Sequence, residues 1–434
     1  MQQINPVTSC PRDIRDIADE FKDCVGAHYS AWVAMLCGTI MGLAGFSNVV
    51  RNLLFAPAVS SLSRMYQEPD IAQKLNRRHR RRVLRLLTKL HENPVRYVWA
   101  IDDTLIEHVG KNIWGCHSWW DHSKDAYIWG HRLLVVGLVD RYRRVFIPIV
   151  WQILHQEKKE TEPHRKGWEV ALDLLDEAIA FGFPSLPVVT DSWFAGEAFF
   201  QGLRQRNLDF VVEIKSNRKV IAHANKTDLN CSVKKFFANR SRQKIFHLNR
   251  PKWAAEAILF FRDAKCRLKT VAIANRKGLA HDGFAYYVSN RLTWDASRIW
   301  SIARDRWSIE VQFRELKQLF TLGEAAVRSR QSVETTISVA VIALTVIRLE
   351  QLHRVDANEN QYVQPIPAGT IVNEQRLRSF QKSILTLVIN ENKRDKFLRR
   401  MRDENFGQKP TEKIPKLKIA QKIIKVHRIR KRAA

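Results

Sequence analysis

The sequence lacks the cysteine spacing of a disulfide-bonded protein or of a zinc module. Its six cysteines stand at positions 10, 24, 37, 116, 231 and 266, and no two of them form a CxxC pair. Disulfide frameworks and cysteine-rich zinc modules both depend on paired spacing, so we expect neither. Cys116, His117 and His122 in GCHSWWDH are residue types that bind metals, but their spacing matches no zinc motif and we predict no zinc site there.

Long apolar runs are also missing. Residues 31–45 give only about 15 apolar positions and residues 337–347 fewer, whereas a membrane-spanning helix needs roughly 20. The N-terminus, MQQINPVTSCPRDIRD, does not show the basic-then-apolar pattern of a signal peptide. These features exclude a membrane protein as a hypothesis and favour a cytoplasmic, nucleoid-associated one.

Acidic residues are scarce relative to basic ones. The chain has 72 Lys and Arg against 44 Asp and Glu, a formal net charge of +28. Part of the excess lies in two local runs, RRHRRR at residues 77–82 and KIPKLKIAQKIIKVHRIRKRAA at residues 413–434. Such a balance favours a polyanionic partner, and double-stranded DNA is the nucleic acid that we predict.

The length allows one large core or two to three smaller ones, since 45% of the 434 residues are hydrophobic. Residues 1–93 hold several helix-like stretches and predict a small basic, helical, DNA-binding domain. Its predicted DNA contacts are Arg77, Arg78, Arg81 and Arg82, and the alternative is an ordinary solvated helix face. Residues 353–434 predict a helical segment, including a helix pair at 379–391 and 393–404, followed by a basic C-terminal tail.

The pattern changes after residue 94. Residues 95–103, 127–139 and 145–153 are rich in β-branched and aromatic residues and predict three strands, the last two forming a hairpin. A helix at 166–182, a strand at 186–191, a helix at 195–207 and a strand at 208–215 follow. This order predicts an α/β fold with an RNase H-like mixed sheet over 94–215, interrupted by a β-rich insertion at 216–293 and resumed at 294–352.

The stretch RWSIEVQFRELKQLF at residues 306–320 has helical periodicity. Apolar residues at 302, 309, 313, 316 and 320 form a face that docks on a core. Arg306, Glu310 and Lys317 fall within roughly 40° of one another on the helix and form a polar stripe beside that face. An Arg/Glu pair on a solvated helix face would explain the stripe in an isolated helix.

Three acidic positions stand where the predicted sheet could bring them together. Asp103, with Asp102 beside it, ends the first strand, Asp191 ends the fourth, and Glu310 lies on the late helix. Each alone is more often a turn or cap residue. Three converging carboxylates repel one another, and hard divalent cations with oxygen ligands usually relieve that repulsion. Two such ions would stabilise the attacking and leaving oxygens of a phosphodiester displacement.

The motifs IDDT, TDSWF and Arg306-x3-Glu310-x6-Lys317 together resemble the DDE transposases of bacterial insertion sequences, in the branch with the Y-R-E-K signature. The resemblance covers roughly residues 95 to 350. It implies Asp103, Asp191 and Glu310 as catalytic residues and ligands of Mg²⁺, for which Mn²⁺ could substitute. Asp103 is preferred to its neighbour Asp102 because the family's residue directly precedes Thr. Arg306 and Lys317 would contact the DNA ends.

Two further positions bear on the resemblance, Ala303 and Trp294. The position of the signature Tyr is occupied by Ala303, so one expected phosphate contact is missing. Trp294 stands by position where related enzymes stack a Trp on a flipped base, although ordinary core packing explains a Trp equally well. The family further implies a homodimer or higher oligomer on paired DNA ends.

The sequence therefore predicts a cut-and-paste transposase that cleaves the ends of its insertion sequence and joins the 3′-hydroxyls to target DNA. A metal-dependent nuclease or an inactive element that only binds DNA is the alternative within the same fold. A DNA-binding protein or repressor without chemistry is the alternative from another class. The last predicts that substitution of the three acids leaves every activity intact.

Overall fold

The computed structural model describes most of the chain. The described residues are 10–53, 55–87, 90–121, 123–156, 165–224, 227–238, 240–247, 250–275, 283–354, 366–392, 394–395 and 398–399. The basic tail at 413–434, most of the second predicted C-terminal helix and His122 lie outside these residues.

Thirteen α-helices can be followed in the described part of the chain. Six precede the sheet and seven follow its first strands. In order, α1 to α6 are Arg12–Asp19, Lys22–Val25, Tyr29–Ile40, Gly45–Asn52, Val59–Gln67 and Ile71–Leu86, and α7 to α13 are Gly167–Ala180, Glu197–Gln205, Val233–Phe237, Ala296–Asp305, Trp307–Gln318, Arg330–Arg354 and Ala368–Ile389.

The described strands all belong to one mixed sheet. In chain order, β1 to β12 are Tyr97–Glu107, His117–Asp121, Ala126–Asp140, Val145–Leu154, Val188–Thr190, Phe210–Ile214, Lys219–Ala224, Thr227–Ser232, Gln243–His247, Arg250–Phe261, Cys266–Ala274 and Phe284–Ser289. The spatial order is β2-β3-β1-β5-β6-β12-β11-β10-β7-β8, with β4 on β3 and β9 on β10.

The centre of the sheet has the order expected of an RNase H-like core. β4, β3 and β1 pair antiparallel, whereas β5 and β6 run parallel to β1. The parallel strands are reached through α7 and α8, as crossover connections require. The predicted α/β fold is confirmed, and each predicted core strand and helix is present within a few residues of its predicted bounds.

The strand-rich segment after β6 extends this sheet. β12 pairs antiparallel with β6, and β11, β10 and β7 follow outward. Residues 257–261, 270–275 and 284–290, which read as short strands, fall on β10, β11 and β12. The inserted residues therefore share backbone hydrogen bonds with the core, and the division of the chain into domains stays a prediction.

The sheet is buried on both faces. One face packs against α10, α11 and α12, and the same apolar core continues into α1, α3, α4 and α5. The other face packs against α7 and α8. In β1 the side chains of Val98 and Ala100 enter the first core, while Trp99 and Ile101 enter the second. Alternation along β1 thus decides which helices each of its side chains meets.

One helix, Arg330–Arg354, is long and apolar enough to cross a membrane. Its most apolar window is 89% buried within the protein, between the sheet and the N-terminal helices. A bent pair, Lys22–Ile40 with Gly45–Asn52, passes the same length and composition test with a 94° bend. Burial of the apolar surface against other elements accounts for the composition of Arg330–Arg354.

Candidate active site

Asp102 and Asp103 lie in the middle of β1, which continues to Glu107 instead of ending at Asp103 as predicted, and their side chains point to opposite faces of the sheet. Successive side chains of a strand alternate, so Asp102 shares the face of Ala100 and lies towards α10 and α11. Its carboxylate accepts a hydrogen bond from Arg306 Nη1 at 3.0 Å. Asp103 points the other way, where Arg132 Nε donates to it at 2.6 Å. The structure therefore gives different surroundings to two neighbouring aspartates that sequence pattern alone does not distinguish.

Asp191 lies next to Asp102 because of the parallel register of β5 and β1. Thr190 is paired with Ile101, and Asp191 is the next residue along. The backbone N–H of Trp193 donates to Asp191 Oδ1 at 3.0 Å, which orients the carboxylate in the turn after β5. This turn fixes Asp191 at the carboxyl end of the strand, the edge of the sheet where β1 also presents Asp102.

Glu310 reaches the same place from α11. The predicted apolar face of this helix is buried: Ile309, Leu316 and Phe320 are fully buried, and Phe313 is 7% exposed. Arg306 stands at the junction of α10 and α11, and its guanidinium lies 2.6 Å from Glu310 and 3.0 Å from Asp102. The polar stripe predicted on this helix thus faces the sheet edge, and Arg306 bridges acids from two elements.

A fourth carboxylate, Glu213 on β6, was missed by the sequence analysis. It lies 3.9 Å from Arg306 Nη2 and is half-buried. The signal was present in the sequence, because Glu213 is the only charged residue of the strand FVVEI. A buried strand rarely carries a carboxylate without a partner, so this exception could have pointed to the site.

Burial and mutual repulsion shift the ionisation of these acids. The pKa of Asp102 is raised to about 8, first by burial and then by the Asp191 and Asp103 carboxylates, although Arg306 opposes the shift. Burial also raises the pKa of Asp191, again against the attraction of Arg306. The pKa of Glu213 rises through burial and through repulsion from Asp191 and Glu310. The cluster is therefore short of positive charge even with Arg306 present.

The same carboxylates favour the charged form of Arg306. Burial disfavours its charge, but the carboxylates of Asp102, Glu310, Asp191 and Glu213 outweigh that cost and raise its pKa. Its side chain is 19% exposed. In this conformation the guanidinium neutralises the carboxylates, whereas the sequence analysis predicted that it contacts DNA.

The opposite face of the same sheet edge carries aromatic rings around Arg132. Its guanidinium lies 4.5 Å from the ring of Trp193 and 5.5 Å from that of Trp119 while it pairs with Asp103. Trp193 is 46% exposed. Asp103 is thus neutralised by a dedicated arginine, and the repulsion that it exerts on Asp191 acts from the other face.

Ala303, the departure from the signature, borders a cavity of about 580 Å³ beside the acids. Glu213, Arg306 and Tyr287 line the same cavity, together with the exposed Trp307. Tyr287 lies on β12 directly opposite Glu213. Burial, with repulsion from Glu213, raises the pKa of the Tyr287 phenol, so it stays a neutral hydrogen-bonding group. The small side chain at Ala303 therefore leaves room next to a phenol supplied by another strand.

Two other residues that were predicted to contact DNA, Lys317 and Trp294, lie in different surroundings. Lys317 is half-buried on α11, where burial lowers its pKa against the attraction of Asp121 and Asp103. Trp294 is 7% exposed and Arg298 lies over its ring at 4.5 Å, so the ring is packed inside the protein in this conformation. This outcome favours core packing for Trp294, the alternative given in the sequence analysis.

The arginine run on α6 is divided between internal ion pairs and solvent. Arg78 lies 3.4 Å from Asp23, and Arg82 lies 3.3 Å from Glu20. Arg77 and Arg81 are exposed and have no acidic partner within 4 Å among the described residues. Two of the four predicted contacts are therefore held by the helical region itself.

Residues 61–230 match the family of DDE superfamily endonucleases. The matched span includes β1, β5 and β6, and with them Asp102, Asp103, Asp191 and Glu213, whereas Glu310 lies beyond it. No curated protein matches the chain.

Two solved structures are similar over most of their lengths at low identity. The piggyBac transposase synaptic complex with hairpin DNA is 10% identical, with a TM-score of 0.45, over 98% of this chain and 87% of that one. The Drosophila P element transposase strand transfer complex is 12% identical, with a TM-score of 0.23, over 85% of this chain and 80% of that one. The proposal below rests on neither of them.

The donor set fits a divalent metal. Asp102, Asp191, Glu213 and Glu310 offer only carboxylate oxygens, the ligands that Mg²⁺ and Mn²⁺ prefer. Burial first, and the neighbouring Asp191 carboxylate second, raise the pKa of Asp102. A divalent cation would return that carboxylate to its ionised form, since opposite charge favours ionisation.

Proposed function

We propose that this protein is a metal-dependent DNA transposase that cleaves the ends of an insertion sequence and joins the freed 3′-hydroxyls to target DNA. The observation that supports it best is the convergence of acids from β1, β5, β6 and α11 at one edge of an RNase H-like sheet. The match to DDE endonucleases over part of that sheet supports the same chemistry.

The proposal assigns the metal ligands to Asp102, Asp191 and Glu310. Asp102 replaces Asp103, the residue preferred from the sequence, because Asp102 shares a face with Arg306 and Glu310 while Asp103 is paired with Arg132. Bound Mg²⁺ or Mn²⁺ would activate water and stabilise charge on the reacting phosphate. Glu213 would orient Arg306, which in turn positions Asp102 and Glu310 by its two short contacts.

The proposal assigns DNA contacts to basic groups around this edge. Lys317 lies on the same helix as Glu310, and Arg306 directly precedes that helix, so both would approach the phosphates next to the reacting one. Arg77 and Arg81, exposed on α6, would contact the DNA backbone further away. The protein would act as a homodimer or larger oligomer on paired ends.

The first test is cleavage of a labelled duplex that carries the element's own end. We expect nicking with Mg²⁺ or Mn²⁺, no nicking with EDTA, and loss of at least about 100-fold in rate for Glu310→Gln. Asp173→Asn, an exposed acid-to-amide change on α7 at the other face of the sheet, is the matched control and should cleave normally. Tight binding without nicking in any divalent metal would overturn the proposal.

Strand transfer separates this function from its nearest alternative. A transposase should join the cleaved 3′ end to a second duplex, and the product should appear as a longer labelled strand. A metal-dependent nuclease should cut without joining. A DNA-binding protein without chemistry should show no cleavage at all, and its Glu310→Gln variant should bind DNA as tightly as the natural protein.

A further inference from the structure

A second group of metal-binding residue types lies beyond the end of β1, separate from the carboxylates. His108 directly follows β1, Cys116 follows the turn at Gly115, and His131 lies on β3 opposite Ile106. One ligand atom from each residue lies within 4.8 Å of the others. His131 is 2% exposed and Cys116 is 6% exposed, so the group is enclosed by protein.

The separations are close to those of ligands that share one metal ion. Cys116 Sγ lies 3.4 Å from His131 Nε2, and His108 Nε2 lies 2.9 Å from His131 Nδ1. Zinc bonds of about 2.0–2.1 Å to nitrogen and about 2.3 Å to sulfur place tetrahedral ligands roughly 3.3 to 3.5 Å apart. Because His131 Nε2 donates to a backbone carbonyl, His131 Nδ1 would be the ligand atom beside His108 Nε2, and the Cys116 thiol has to turn towards it.

The donor types select the metal. A thiolate and two imidazoles are soft or borderline ligands, which suit zinc and disfavour the magnesium or manganese of a carboxylate site. Two further imidazoles lie beside the group: His117 and His155 both repel a charge on His131, and their rings are 5.8 Å apart. These two residues are the candidates for a fourth ligand.

The backbone next to Cys116 lies in contact with two of these imidazoles. Gly115 has φ +72°, and a Cβ there would lie 3.4 Å from His155 and 3.5 Å from His131. The Trp114 carbonyl accepts a hydrogen bond from His131 Nε2 at 2.7 Å, and the Trp114 N–H donates to the Arg328 carbonyl at 2.9 Å. Such backbone contacts to a ligand are typical supports of a metal site.

We propose that His108, Cys116 and His131 bind one zinc ion, with His117, His155 or a water in the fourth position. The ion would fasten the segment between β1 and β2 to β3. His131 directly precedes Arg132, which pairs with Asp103. A metal ion bound here would therefore stiffen β1 and β3 close to the carboxylates of the candidate active site. Its role is structural, and it does not depend on the proposed transposase activity.

The test is metal content of the full-length protein purified from zinc-supplemented cells. We expect one zinc per chain by mass spectrometry after gel filtration, retained in Asp102→Asn and Glu310→Gln and lost in Cys116→Ser and His131→Gln. The matched controls are Cys231→Ser, a buried thiol on β8, and His353→Gln, an exposed histidine on α12. Both should keep the metal.

Cobalt binding to the natural protein tests the site without any residue change, which matters if Cys116→Ser fails to fold. Co²⁺ added to the natural protein should give a thiolate-to-cobalt absorption band, and added Zn²⁺ should abolish it. Substoichiometric zinc together with no cobalt–thiolate band in the natural protein would overturn the proposal. Zinc retained by a folded Cys116→Ser variant would overturn it as well.

Discussion

Asp102 and Asp103 are chemically identical neighbours whose surroundings differ. Asp102 faces Arg306 on the side of α11, while Asp103 faces Arg132 on the side of α7 and α8. We expect Asp102→Asn to reduce cleavage at least about 100-fold, because it removes a proposed metal ligand. Asp103→Asn should retain most of the cleavage rate and lose stability through its broken pair with Arg132. Rates on a labelled duplex, with unfolding curves of both variants, make the comparison.

The reverse ranking of these two variants would restore Asp103 as the ligand. Sequence could not decide between them, since both faces of β1 are buried and alternation alone does not say which helix covers which face. The same limit hid Glu213, whose partner Arg306 comes from an element far along the chain.

Arg306 supplies positive charge to the carboxylates where a divalent ion would also supply it. Arg306→Gln removes one unit of charge from beside Asp102 and Glu310. We therefore expect Mn²⁺ to bind about tenfold more tightly to this variant by calorimetry, while cleavage falls because the proposed DNA contact is lost. Arg314→Gln, exposed on α11, is the control and should leave both properties unchanged. Equal or weaker Mn²⁺ binding to Arg306→Gln would contradict this electrostatic account.

At the scale of elements, the strand order of the core follows directly from sequence pattern. β1, β3, β4 and β6 are rich in β-branched and aromatic residues, and α11 repeats its apolar residues at helical spacing. The pairing of β12 with β6 is not encoded locally, because it depends on hydrogen bonds between segments 72 residues or more apart. The insertion therefore could be recognised as strands but not as a continuation of the sheet.

The docking of α6 on the sheet depends on a buried neutral histidine. A ring nitrogen of His79 lies 2.8 Å from the Pro148 carbonyl on β4, and burial lowers the pKa of His79 to about 4. The unfolded chain binds this proton near pH 6.5 and the folded chain does not until about pH 4. Stability from His79 is therefore complete above pH 6.5 and is lost as the pH falls towards 4, by about 3 kcal/mol.

His79→Gln should flatten this dependence. We expect the free energy of unfolding of the natural protein, measured in urea between pH 7 and 4, to fall more steeply than that of His79→Gln. His353→Gln, an exposed change on α12, should follow the natural curve. Parallel curves for His79→Gln and the natural protein would show that His79 does not contribute to acid sensitivity.

The helix that carries Glu310 is fixed to α12 by a buried ion pair. Arg348 is 5% exposed by its side chain and lies 2.6 Å from Glu315. Removing one partner leaves a buried charge, so we expect Arg348→Leu to lower the free energy of unfolding by about 3–5 kcal/mol. Arg348→Leu with Glu315→Leu should recover much of that loss. If the double variant is as unstable as Arg348→Leu, the lost stability does not come from an unpaired buried charge.

At the scale of the whole molecule, the proposed DNA binding rests on two features, the charge excess and the carboxylates at the sheet. The N-terminal helices share their apolar core with α12, and α6 packs on both α12 and β4. The exposed arginines of α6 are thus held at a fixed position relative to the sheet that carries the acids. DNA that reached both would be contacted by two surfaces of one folded unit, and the net charge of +28 favours its attraction to the protein.

The salt dependence of DNA binding measures how many phosphates the protein contacts. We expect affinity to fall steeply with salt, and Arg77→Gln with Arg81→Gln to lower the slope of log affinity against log salt by about 2. The charge-matched control is Arg314→Gln with Arg399→Gln, which should leave the slope nearly unchanged. Asp102→Asn should bind DNA about as tightly as the natural protein, since it removes no phosphate contact. An unchanged slope for the Arg77 and Arg81 variant would place the DNA on another face, and loss of binding by Asp102→Asn would mean that the acid supports the fold of the DNA-binding surface.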